Sequence, residues 1–386
     1  MKEPEISPGN SRERREVLVV GGSAAGLYTA TCLAQGGRAV RVLESKPSLD
    51  PAARTLIVTD HFRKQVNGNA TASIVNEIKK FELFTNGRSA VVSLKEPDLI
   101  IERSRLIRAL AQEAQQAGAQ FHYDTRFLGL APNDNGLHVK VDQAGAREEL
   151  YAESVVGADG AASRVARASG WPPIETVPLV QALVKLPKDC PRDTTRVWFV
   201  PDDTPYFYWL IPESAERGAL GVIGEQGHDT KRCFERFMAK KGLEPLEWQG
   251  ARIPVYRKWV PVRKRVGNND VYLVGDAAAQ VKVSTIGGIV TGFRGARGVA
   301  DAILRRGRQE LRALRRELGT HWLVRRTLHH FRQEDYCELV DMLNGATRES
   351  LGQINRDDST RLLWTVVRRQ PRLALLGLRG LLLGRR

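Results

Sequence analysis

The stretch "VLVVGGSAAGLYTATCLAQGGRAVRVLE", Val17 to Glu44, decides how the chain begins to fold. Val17 to Val20 form a β-branched, apolar run that reads as a buried strand, and the spacing after Ala24 reads as a helix through Leu33. Gly36-Gly37 breaks the helix, and "RAVRVLE" is a second strand ending in an acid. Between strand and helix, Gly21 and Gly26 meet the outer positions of the GxGxxG fingerprint and Ser23 stands at its middle. The middle residue must be small for backbone to approach a pyrophosphate, and the helix N-terminus behind it favours negative charge. The cofactor-contacting set expected here is Gly21, Gly22, Ser23, Ala25 and Gly26. Glu44 stands where an acid accepts hydrogen bonds from a ribose, which favours an unphosphorylated adenosine ribose as in NAD or FAD.

Two more stretches have the same texture. "GADGAASRVAR", Gly157 to Arg167, follows a strand and closes on an Asp-Gly turn. "VYLVGDAAAQVKVSTIGGIVTGFRGA", Val271 to Ala296, runs from a strand through Asp276 into Gly287, Gly288 and helical spacing. A helical stretch opens near Arg103 and ends at Gly118, a natural C-terminal cap. From about Trp171 to Trp259 prolines and aromatics become frequent, and "RVWFV", "YFYWLIP" and "ALGVIG" read as strands of an antiparallel sheet.

These three glycine-rich stretches resemble, in order and separation, the motifs of flavoproteins of the p-hydroxybenzoate hydroxylase structural class. The resemblance implies FAD. It implies that Asp276 accepts hydrogen bonds from the ribityl chain and that Gly287, Gly288 and Ile289 bring a helix N-terminus against the flavin. Arg103 matches the arginine that opens a flavin-contacting helix, and Asp159 supports the cofactor loop. The wording "GDAAAQVKVSTIGGI" and "SRVAR" looks like the geranylgeranyl reductase family, although Val283 and Ile286 depart from its commonest proline and glycine. "YFYWLIP" is similar to that family's YxWxFP at Trp209 and Pro212, with Phe207 for the tyrosine; halogenases carry WxWxIP, which fits it equally well. Many members have a cysteine after the ribose acid, but none stands in "SKPSLDPAARTLIVTDHF", leaving Arg54 or His61 as polar groups for the flavin edge.

What the family resemblance implies is an FAD-dependent reductase that saturates carbon–carbon double bonds of a polyprenyl lipid or quinone side chain. Phe207, Trp209 and Pro212 are its expected substrate-binding residues. Tyr206, Tyr208 and His61 are unranked candidates for the proton donor. The electron donor is NAD(P)H or a ferredoxin-type protein. The alternative is an FAD-dependent monooxygenase or halogenase acting on an aromatic or polyketide.

At 386 residues the chain exceeds the roughly 250–300 at which single cores stop growing, so more than one unit is expected. The expected class is α/β, α+β overall. Residues 12–60, 100–175 and 260–310 form a discontinuous Rossmann-like FAD-binding domain. Residues 61–99 and 176–259 form an inserted antiparallel-sheet substrate domain, and 311–386 a C-terminal helical region. The net charge is +15, and from Asp301 onward eighteen Arg and no Lys face ten Asp plus Glu. Because "PRLALLGLRGLLLGRR" mixes Arg with dense Leu, an anionic membrane surface suits this end better than nucleic acid. No apolar run reaches the ~20 residues a span needs. The opening "MKEPEISPGNSRERRE" has no apolar core and reads as a disordered lead-in rather than a signal peptide. Four scattered cysteines lack metal or disulfide spacing, and no metal is expected. The expected location is cytoplasmic, peripheral at the inner face of the membrane.

Overall fold

The computed structural model describes residues 16–383 apart from 67, 135, 226, 344 and 370. The lead-in and the start of the 12–60 segment lie outside the described residues up to residue 15. The first strand, β1 (Glu16–Val20), is buried along its whole length, as expected of an apolar run covered on both faces. Helix α1 (Ala24–Gln35) follows, with the Ser23 hydroxyl accepting from the Gly26 amide at 3.2 Å as its N-cap. Strand β2 (Ala39–Leu43) returns parallel to β1.

β1 lies inside a six-stranded sheet. In spatial order the strands are Arg263–Val266, Asn269–Leu273, Ser154–Gly157, β1, β2 and Gln120–His122. All pairs are parallel except the antiparallel edge strand Arg263–Val266. The three glycine-rich stretches therefore leave three adjacent strands at the same ends, although Val20 and Leu273, the ends of the first and last of these strands, are far apart in sequence. Ligands bind in open α/β sheets outside such carboxyl ends.

The second sheet has eight strands: Pro245–Pro254, Thr176–Lys185, Arg217–Ile223, Tyr208–Pro212, Thr194–Trp198, Ile74–Thr85, Arg88–Glu102 and Thr55–Val58. It is antiparallel apart from the parallel contact of Thr194–Trp198 with Ile74–Thr85. It takes in Thr55–Val58 and reaches Glu102, so it is wider than the 61–99 segment expected for it. A three-stranded meander covers residues 125–152.

The C-terminal end is helical, as expected. The helix Gln309–Leu328 packs Leu314 and Leu318 against Val283 and Tyr256, beside the third glycine-rich stretch. Two helices, Ser359–Arg369 and Pro371–Leu383, close the described chain. Leu376 is buried with Phe331 and Tyr336, whereas Trp364, Leu375 and Leu378 are exposed. The leucines thus divide between an inner and an outer face. No helix among the described residues is long and apolar enough to cross a membrane.

Candidate functional site

The three loops touch one another. Gly21 has φ +106°, open to glycine and strained for other residues, and a Cβ there would lie 2.6 Å from the Ala158 carbonyl oxygen. A Cβ on Gly26 would lie 2.3 Å from the Gly21 carbonyl and 2.8 Å from the Ala158 Cβ, which locks the first loop onto the second. Ala25, buried at the start of α1, occupies the space that Gly275 leaves at the third loop; a Cβ on Gly275 would come within 2.9 Å of it. The Gly22 amide donates to the Glu44 carboxylate at 2.8 Å, so the acid also organises the turn beside it. Asp159 accepts from the Ser163 hydroxyl at 2.5 Å and from the Arg164 amide at 2.7 Å, holding the second turn closed. Gly21, Ser45, Arg126 and Asp159 line a cavity of about 430 Å³.

A second group of charges gathers at the third loop. Gly288 stands before the helix Ile289–Ile303, and a Cβ there would be 3.6 Å from Asp276 Oδ1. Burial pushes the Asp276 carboxyl above its usual range, against the pull of Arg54 and Arg103. Burial likewise lowers the Arg54 guanidinium, with the Arg103 charge adding to the effect. Arg103 opens the helix Arg103–Gln116, and its backbone amide donates to the Arg54 carbonyl at 3.0 Å. Glu102 ties the pair together: its carboxylate caps the helix at Ser104 and Arg105 and accepts from the Arg54 amide at 3.3 Å.

Arg54 and Arg103 share the buried Asp276 carboxylate, with Glu102 adjoining Arg103, and Arg54 Nε is buried without a hydrogen-bond partner. Among the described residues no hydrogen bond reaches the Asp276 carboxylate. This donor set, with the backbone cradle at Gly21 and Gly22, fits a dinucleotide flavin: phosphates for the cations and turn amides, hydroxyls for Asp276 and Glu44.

Against the third loop lies a mainly apolar cavity of about 360 Å³. Phe207 and Trp209 form part of its wall, their rings 6.1 Å apart and edge to face. The Trp209 indole lies over Gly221, where a Cβ would meet Cζ2 at 2.3 Å, and its Nε1 donates to the Gln181 side chain at 3.3 Å. Ile286, Gly287, Gly288 and Ile289 form the end of this cavity beside Asp276. Ile286 has φ +57°, a strained conformation for a β-branched residue. Its position is one where the family resemblance puts glycine, so the departure in sequence coincides with a backbone that glycine would adopt freely.

The proton-donor candidates fare differently. Tyr208 faces the opposite side of the sheet from Phe207 and Trp209, stacked on Phe237 at 3.9 Å with its hydroxyl donating to Asp203 at 2.9 Å. Strand alternation takes it away from the cavity and removes it from the candidates. Tyr206 is buried against the Arg325 guanidinium, 4.6 Å from its ring centroid, and is not in the cavity wall. His61 is bound up with Asp357, at 3.5 Å, and is not in the wall either. Pro212 turns its carbonyl to the Asn76 amide at 3.0 Å rather than its ring to the cavity.

Sequence reasoning missed a buried ion pair beside the flavin loop. Lys282 pairs with Asp357, whose carboxylate also accepts from Thr59 and faces His61. Burial alone would raise the Asp357 carboxyl, but Lys282, His61 and Thr59 together hold it far below the usual range. The C-terminal region also walls the cavity, through Arg325, Leu328, Tyr336, Leu351 and Arg356. A lone lysine inside "AQVKVST" was the available signal for Lys282; nothing local marks Asp357 as its partner.

The chain matches the family described as FAD binding domain over residues 14–305. It is 25% identical over 372 residues to the digeranylgeranylglycerophospholipid reductase of Methanosarcina acetivorans, covering 87% of this chain and 90% of that protein. Among solved structures, a geranylgeranyl bacteriochlorophyll reductase-like protein from Thermoplasma acidophilum superposes with TM-score 0.78 at 18% identity, covering 92% of this chain and 96% of the other. A flavin-dependent brominase superposes with TM-score 0.67 at 16% identity, covering 90% and 92%. Both structural likenesses concern the fold. With three loops at neighbouring strand ends and a donor set that suits FAD, the chain belongs to the FAD-binding domain family and is an FAD-dependent oxidoreductase.

Proposed function

We propose that this protein is a reductase that saturates carbon–carbon double bonds in a polyprenyl chain. The observation that carries the reading is that one apolar cavity shares Gly287, Gly288 and Ile289 with the cofactor loop while Phe207 and Trp209 wall it. Such a slot suits a long hydrocarbon, and the relatives named as digeranylgeranylglycerophospholipid reductases support it. Bound and reduced FAD would supply a hydride to one alkene carbon, and a proton adds to the other. The chain's contribution is to grip the cofactor, to hold the alkene against the Gly287–Gly288 edge and to exclude water. In this reading Glu44 holds the adenosine ribose, Arg54 and Arg103 face anionic parts of the cofactor, and Asp276 accepts from the ribityl hydroxyls.

Asp276→Ala removes that acceptor and leaves Arg54 and Arg103 with no shared carboxylate. FAD affinity is expected to fall about ten-fold or more by flavin fluorescence titration; unchanged affinity would place the ribityl chain elsewhere. The functional test is to reduce the flavin with dithionite, exclude oxygen and add a geranylgeranyl lipid. Reoxidation of the flavin by the lipid alone supports the reductase. Reoxidation that requires oxygen and yields a hydroxylated or halogenated product supports the monooxygenase or halogenase alternative.

The outer face of the last two helices suits an anionic membrane surface, where a prenyl lipid resides. Trp364, Leu375 and Leu378 are exposed there beside exposed Arg361, Arg368, Arg372 and Arg379. Leu375→Glu with Leu378→Glu leaves the buried Leu376 in place. Sedimentation with vesicles containing phosphatidylserine should fall several-fold; equal sedimentation would dispose of the membrane role.

A further inference from the structure

Among the described residues two Lys or Arg side chains are buried: Lys282 at 5% exposure and Arg325 at 6%. Lys282 has Asp357. Arg325 has no carboxylate partner among the described residues. One guanidinium nitrogen donates to the Pro205 carbonyl, the Tyr206 ring lies beneath the group, and Nε is buried without a partner. Glu225 and Glu175, which share the neighbourhood, are engaged by His329 at 3.5 Å and Arg257 at 2.7 Å. A carbonyl and an aromatic face offset only part of the cost of removing a guanidinium from water. The guanidinium is thus buried in the wall of an apolar cavity with no carboxylate paired to it, beside the Pro205 carbonyl and the Tyr336 hydroxyl.

Arg356 lines the same cavity. Asp98 holds one of its nitrogens and the Phe81 ring lies 4.9 Å from its guanidinium carbon, yet its Nε is also buried without a partner. Two guanidiniums, each with an unused donor, therefore stand in a wall that is otherwise mainly aliphatic and aromatic. That combination is wasteful for a ligand that is hydrocarbon throughout. It suits an amphiphile whose head group brings its own negative charge, since guanidinium forks match phosphate geometry.

We propose that Arg325, seconded by Arg356, anchors a phosphate-bearing head group while the ligand's chain lies along the apolar wall. The inference deepens the prenyl-reductase reading and rests on it: it selects a phosphorylated prenyl substrate over a free alcohol or a quinone, and assigns the selection to the C-terminal region, Arg325 on the helix Gln309–Leu328 and Arg356 in the turn before Ser359–Arg369.

The test uses the full chain with FAD bound and reads the dissociation constant from the fluorescence of the tryptophans, of which Trp209 lines the cavity. The probes are geranylgeranyl diphosphate, digeranylgeranylglyceryl phosphate and geranylgeraniol. The intact protein is expected to bind at least one phosphorylated probe about ten-fold or more tightly than the alcohol. The two phosphorylated arms separate a soluble diphosphate from a lipid phosphate. Arg325→Met should bring the phosphorylated probes to within about three-fold of the alcohol, whose own constant stays unchanged, and Arg356→Met should do so less. A merely structural arginine would weaken all three probes together. Arg325→Gln, which keeps a donor for the Pro205 carbonyl, carries the test if the methionine variant loses its flavin. No preference in the intact protein, or a preference that survives both Arg325 variants, overturns the inference and leaves the reductase reading standing. Failure of every probe to bind overturns the reductase reading and the inference with it.

Discussion

Gly21→Ala is expected to purify nearly colourless, with FAD affinity reduced by roughly two orders of magnitude, equivalent to about 3 kcal/mol. Two effects combine. At φ +106° a side chain is strained by roughly 1–2 kcal/mol, and the new Cβ would sit 2.6 Å from a backbone oxygen that cannot swing aside as a side-chain tip can. Relieving that contact means pushing the Ala158 loop off the turn, at an overpacking cost of about 1–3 kcal/mol. The displaced loop carries Asp159, so the damage falls on the cofactor cradle itself. Gly37→Ala is the control. Its φ of +81° imposes similar backbone strain, but a Cβ there meets nothing within 4 Å. It should lose about 1–2 kcal/mol of stability in thermal unfolding and keep its flavin. A yellow Gly21→Ala protein with normal flavin content would mean that the first two loops do not grip the cofactor jointly.

The second large effect is expected at Asp357. Removing this carboxylate strands Lys282 at 5% exposure and takes the partner from His61, so Asp357→Ala should cost about 3–5 kcal/mol in denaturant unfolding. Adding Lys282→Met should restore much of the loss, because the unpaired charge is then gone; no recovery would mean that packing rather than charge sets the cost. The pH dependence has a definite sign. The Asp357 hydrogen bond raises the His61 pKa, against the effect of burial. Protonated His61 therefore contributes stability that is fully present below its ordinary value of about 6.5 and is lost as the pH climbs through the raised value. For Asp357 the folded pKa is depressed, so its contribution is present above about 3.9 and lost only under strong acid. In Asp357→Ala the decline in stability that accompanies His61 deprotonation, above its ordinary value of about 6.5, should flatten. Persistence of the wild-type slope would show that another group titrates there.

The cofactor half of the molecule was legible because its signals are local. A strand, a glycine turn, a helix, a second strand and an acid follow in order within some thirty residues, and β1 to β2 folds as read. The convergence of Gly21, Asp159 and Asp276 came from motif order, and its cause is that their strands are neighbours in one sheet. The placement of Phe207 and Trp209 on one face followed from period-two alternation. The same rule puts Tyr208 on the other face, and should have excluded it from the start.

The C-terminal region was illegible for a physical reason. Its arginines look alike in sequence, and only the fold separates Arg325, buried in the cavity wall, from Arg361 or Arg372, which face solvent. Asp357 is 75 residues from Lys282, and nothing in either local stretch announces the pairing. Composition described this end as a basic appendage. It is a structural wall of the site whose outer face alone keeps the basic, leucine-rich character.

In the proposed reaction, electrons held on the gripped cofactor pass to a prenyl alkene in the adjoining cavity. The most direct measurement is a single turnover without oxygen, mixing the protein carrying one equivalent of reduced FAD with excess geranylgeranyl diphosphate or its phospholipid counterpart and weighing the lipid by mass spectrometry. One saturated double bond, a gain of two hydrogens, is expected for each flavin reoxidised. A lipid of unchanged mass beside flavin that stays reduced until oxygen is admitted would contradict it.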